Sequence, residues 1–108
     1  MAWIYLVLAG LLEIGWPIGL KISQSPDSRV LGITVAIACL AGSGVLLWIA
    51  QRGIPIGTAY AVWTGIGAVG TFAVGILVYR DPATAGRMIS AGLILAGIVG
   101  LKLSHSEG

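Results

Sequence analysis

One acid, Glu13, stands in the middle of an otherwise uncharged and largely apolar run over residues 2–20. A carboxyl group withdrawn from water can hold a proton or, once ionised, pair with a cation, and a site contested by both couples the movement of one to the other. Burying such a group in hydrocarbon costs at least a few kcal/mol, so it must face the protein interior or a water-filled cavity. The remaining reading is a protonated, inert packing residue. Helical spacing places Ala9 and Gly10 one turn before the acid and Trp16 and Pro17 one turn after it, small residues on one side and an aromatic wall on the other. Pro17 has no N–H, so the carbonyl of Glu13 loses its intrahelical partner and the helix should bend there. That carbonyl is free to bond substrate, water or another helix, unless the kink is only structural. No phosphate-binding loop, nucleophile–base pair or dinucleotide fingerprint occurs in the sequence, which argues against ATP drive and against catalysis, so no catalytic residue is assigned.

The elements that must position Glu13 follow from where the charges fall. The chain has 108 residues, 57% of them apolar and 9% charged, with six Lys and Arg against four Asp and Glu. A soluble domain of this size carries about a quarter charged residues, so a soluble globule is excluded, as is disorder. The lone Cys39 excludes a disulfide scaffold. The formal charge of +2 comes from basic residues scattered singly between apolar blocks, without the patch that nucleic acid requires. They read instead as membrane-edge residues in contact with lipid headgroups, and Trp3, Tyr5, Trp48 and Tyr79 read as interface anchors. His105 has no companion ligand, so no metal site and no cofactor are expected. The uncharged runs match the roughly 20 helical residues that cross a bilayer core. Four spans fit, near residues 2–21, 30–51, 54–79 and 84–103, in a single transmembrane domain over residues 1–108. The fourth is short between Arg87 and Lys102 and reaches both headgroup layers by snorkelling. The first lacks a small-residue cleavage site and holds an acid at its centre, which speaks against a removable signal peptide.

The third span carries Gly57, Gly65, Gly67, Gly70 and Gly75. Small residues let membrane helices approach closely, and glycine also lowers the cost of bending, so Gly65 and Gly67 serve either close packing or a hinge. On the fourth span Ser90 and Gly97, seven apart, share a face with Ala96 nearby, suited to contact between subunits. One acid among four helices makes a thin cavity. Without an internal repeat, the symmetry on which many transporters rely can come only from pairing. With the N-terminus inside, Arg52 and Lys102 would be cytoplasmic and Lys21, Arg29, Arg80 and Arg87 external, too small a bias to fix orientation. An antiparallel homodimer of oppositely inserted copies is therefore permitted, and so is pairing with a different chain of opposite orientation.

Glu13 in a first helix ending Gly19-Leu20-Lys21, the segment from Pro55 to Ala68, and Gly100-Leu101-Lys102 together resemble the small multidrug resistance family over essentially the whole length. Trp16, the string Trp63-Thr64-Gly65-Ile66-Gly67-Ala68 and the closing Gly-Leu-Lys resemble its guanidinium-exporting branch. The resemblance implies an all-α membrane protein of four transmembrane helices in the bacterial plasma (inner) membrane, working as an antiparallel, dual-topology dimer that exchanges protons for an organic cation. It also implies that Glu13 binds substrate and protons, that Ser43 and Trp16 hold its orientation by hydrogen bonding, that Tyr60 and Trp63 shape the site, and that Gly10 borders it. Pro17, Gly42 and Gly44 depart from the family's pattern.

The chemistry suits that branch. Guanidinium is a flat cation ringed with N–H donors; a carboxylate takes two parallel bonds from it, and an indole or phenol face lies well against its plane. Ser43 can donate to the carboxylate or bond back to its own helix. Tyr60 and Trp63, three apart, can line a site or form an ordinary packing pair. Two other functions compete: proton-coupled export of quaternary ammonium or lipophilic aromatic cations, and a non-transporting membrane scaffold subunit in which Glu13 is only an interhelical hydrogen bonder.

Overall fold

A computed structural model describes residues 1–104; His105 lies outside the described residues. Within them the chain forms α1 (Ala2–Ile22), a 3-10 turn (Pro26–Ser28), α2 (Arg29–Ala50), α3 (Ile56–Tyr79) and α4 (Ala85–Ser104). All four α-helices are long and apolar enough to cross a membrane. The largest shift from the expected spans is at α3, which starts at Ile56 and not at residue 54. Pro55 caps it with an extended ψ of 145°, and its carbonyl accepts the N–H of Ala59 at 2.9 Å. A proline also pushes the residue before it out of helical conformation, which fixes the boundary. At the other end Arg80 adopts the left-handed region (φ 60°, ψ 36°), and Asp81 N–H returns to the carbonyl of Gly75 at 2.9 Å. Thr84 opens α4, its hydroxyl accepting the N–H of Arg87 at 3.3 Å.

Short connections make successive helices run antiparallel. Laterally the order is α2, α1, α3, α4: α1 packs on both α2 and α3, α4 packs on α3, and α2 barely meets α3. The Cα trace measures 51 × 34 × 16 Å, a slab. Lipid supplies no hydrophobic drive between helices, so close backbone approach must do so through dispersion and weak polar contacts. At Gly19 a Cβ would stand 2.6 Å from the backbone nitrogen of Ala36 and 2.7 Å from the carbonyl of Gly32. Only glycine lets α1 and α2 meet there. The opposite end of the slab is held by side chains instead: Leu6, Ala50, Ile54, Ala59 and Val62 form a buried cluster flanked by Trp3, Leu47, Trp63, Ile66 and Ile98. Glu13 lies between these two regions.

Four of the six lysines and arginines sit over aromatic rings. Arg52 covers Trp48 at 4.7 Å, Arg87 covers Phe72 at 5.1 Å, Lys102 covers Trp3 at 5.3 Å and Lys21 covers Tyr79 at 5.6 Å. Each pair keeps a cation near the headgroup level while its apolar stem lies along the bundle.

Candidate functional site

Glu13 leaves α1 toward α3 and lies flat against Gly67, where a Cβ would come within 2.5 Å of its Cγ. Any larger residue at 67 would push the acid off α3. Beside this contact is a cavity of about 340 Å³ lined by Glu13, Pro17, Thr64, Gly67, Ala68 and Thr71. The Oε1 atom of Glu13 is buried without a hydrogen-bond partner, and so is Nε1 of Trp16. An unsatisfied buried acceptor and donor each carry a desolvation cost of about 1–3 kcal/mol that a ligand or water could relieve. The Thr64 hydroxyl donates to the carbonyl of Tyr60 at 2.7 Å, which commits its hydrogen and leaves its oxygen as an acceptor.

Ser43 goes elsewhere than the family resemblance implies. It is fully buried, donates to the carbonyl of Ala9 at 2.7 Å and accepts the indole N–H of Trp63 at 2.8 Å. Neither the carboxylate nor its own helix is its partner. In helical geometry the Ala9 carbonyl is the one that Glu13 N–H bonds, so Ser43 reaches the acid only through backbone. One hydroxyl thus joins α1, α2 and α3, the last two otherwise scarcely touching. Trp63 is thereby turned toward Ser43, and the Tyr60 ring stands 5.5 Å from it at 52°. Trp16 makes no bond to Glu13, its nitrogen being unpartnered. Gly10 is buried against Ile66, whose Cβ would lie 2.8 Å from a Cβ at position 10.

Gly65 and Gly67 face different neighbours: a Cβ at 65 would meet Ile98 of α4 at 2.8 Å, one at 67 meets Glu13 of α1. Helix α3 is unbroken through both. Ser90 and Gly97 are exposed, Ser90 bonding back to the carbonyl of Gly86 at 2.8 Å and Gly97 opening onto free space. The lining residues that sequence reasoning missed are Thr64, Ala68 and Thr71. With Gly67 they recur at helical spacing on one face of α3, a face that the sequence marks with two of the helix's three threonines.

The family model described as Small Multidrug Resistance protein matches residues 1–94. A Guanidinium exporter of Yersinia pseudotuberculosis is 54% identical over 104 residues, covering 96% of this chain and 99% of that protein. Guanidinium exporters of Citrobacter freundii and Salmonella typhimurium are each 50% identical over 104 residues, covering 96% of this chain and 98% of theirs. With the helices, the central acid and these relatives in agreement, this chain is a multi-pass membrane protein that belongs to the small multidrug resistance family.

Proposed function

We propose that this protein is a proton-coupled antiporter that exports guanidinium, or a small substituted guanidinium cation, across the bacterial inner membrane, as an antiparallel pair in which each copy contributes Glu13. The observation that carries this reading is a buried, unpartnered carboxylate oxygen at a cavity midway along a membrane helix. The guanidinium-exporting relatives support the choice of cargo. Residues 1–108 act as one transmembrane unit whose work is transport and not catalysis. Glu13 exchanges proton for cation, Trp16 and Tyr60 offer ring faces to the bound cation, and Trp63 and Gly10 set the shape of the site through the contacts already described. Bending of α3 at Gly65 and Gly67 exposes the site to each side in turn, and Ser90 and Gly97 meet the second copy. A second copy is needed because one chain leaves its slab open to lipid on the remaining side.

The test is guanidinium flux into proteoliposomes driven by a proton gradient. The unmodified protein transports guanidinium, and Glu13→Gln reduces flux to that of protein-free liposomes with the pair intact on cross-linking. Surviving flux in Glu13→Gln would defeat the exchange mechanism. Transport of tetrapropylammonium with none of guanidinium would reassign the cargo to cations without N–H groups, since a hydrogen-bonded site rejects ligands that leave its polar groups unpaired.

A further inference from the structure

The cavity beside Glu13 is lined by acceptors more than its single acid suggests. Pro17 occupies the position whose N–H would bond the Glu13 carbonyl in a regular helix, and Pro17 lies within α1, four residues after the acid. The ring nitrogen carries no hydrogen, so that carbonyl loses its regular donor four residues on. Glu13 and Pro17 both line the cavity. A carbonyl away from water without a donor carries a cost that a ligand rich in N–H groups removes. Across the cavity the Thr64 oxygen is restricted to accepting, because its hydrogen goes to Tyr60 at 2.7 Å. The Glu13 Oε1 atom is also unpartnered.

We propose that Pro17 converts the main-chain carbonyl of Glu13 into a second acceptor for the transported cation, so that one residue binds it through both carboxylate and backbone and, with Thr64, selects cations by the number and spread of their N–H donors. This rests on the guanidinium-export reading. A planar cation with donors on several edges engages carboxylate and carbonyl together, whereas an alkylated ammonium meets only the charge. Proton binding needs the carboxylate alone, so the carbonyl distinguishes cargo from proton at a site they share.

The test uses the full chain in lipid nanodiscs. Carbonyl-13C glutamate with 15N isoleucine isolates the 13–14 peptide, because Glu107 is followed by Gly108. Guanidinium should shift the Glu13 carbonyl resonance in the unmodified protein. Pro17→Ala, which restores an N–H, should remove that shift and weaken guanidinium binding about tenfold, the worth of one hydrogen bond to a charged group. Lactic acid at position 17, with the alanine side chain but an ester oxygen in place of N–H, should restore both without restoring the proline ring. A role for Pro17 in helix bending alone would leave the ester no better than alanine, and that result overturns the proposal. So does guanidinium binding with a stationary carbonyl resonance, which needs no variant and leaves the export reading intact. Absence of guanidinium binding in the unmodified protein overturns both readings together.

Discussion

Ser43 satisfies two partners on two other helices with one oxygen, donating to Ala9 and accepting from Trp63. Removing it leaves a part-buried indole N–H without its acceptor. Ser43→Ala should therefore lower stability by about 1–3 kcal/mol, read as unfolding in detergent. Because the bond is shared, Ser43→Ala and Trp63→Phe should be strongly non-additive in a double-mutant cycle. Equal and additive losses would show that the two side chains act separately. The chemical type of this residue was legible from the sequence, but its partner was not. A buried serine hydroxyl is satisfied equally by a carboxylate, its own helix or a neighbouring carbonyl, and only the rotation of α2 selects among them. The same limit applies to Trp16, whose place one turn from Glu13 put it near the acid without aiming its nitrogen there.

Helices α1 and α2 meet backbone to backbone where Gly19 faces Gly32 and Ala36. Methyl groups cannot be absorbed by backbone as they can by a flexible side-chain tip. Gly19→Ala should separate the helices and lower stability by about 1–3 kcal/mol, the usual cost of overpacking. Gly57→Ala, with nothing within 4 Å of its Cβ, should leave stability unchanged or raise it by up to about 1 kcal/mol through reduced backbone entropy of the unfolded chain. Thermal unfolding of the two variants in the same detergent checks the contrast. The helix limits were nearly all legible, since apolar run length and flanking charge are local properties. The start of α3 was not, because the apolar character continues through Ile54 and only the stereochemistry of Pro55 ends the turn.

At the scale of the whole molecule, α4 leans on α3 alone and none of its residues is buried. It exposes Ser90 and Gly97 together with Leu93 and Leu101, small residues that permit close approach between large ones that fill it. If this face pairs two copies, Gly97→Leu should abolish cross-linking of the pair and guanidinium flux together, while circular dichroism reports unchanged helicity. Flux that persists in a cross-linking-negative variant would place transport within a single chain. Tags on both termini of singly expressed protein should report both orientations; a uniform orientation would exclude the antiparallel homodimer.

From the sequence alone came the number of helices, their limits within one or two residues, and the acid that must sit at mid-membrane, because each depends only on local hydropathy and the cost of charge in hydrocarbon. Tertiary structure alone decided which groups meet: Glu13 seated on Gly67, Ser43 locked to Trp63, Thr64 and Thr71 at the cavity. A soluble helix advertises its inner face through an apolar stripe, whereas a membrane helix is apolar all round, so its rotation is written in no single segment and is fixed only when small residues on neighbouring helices come into contact.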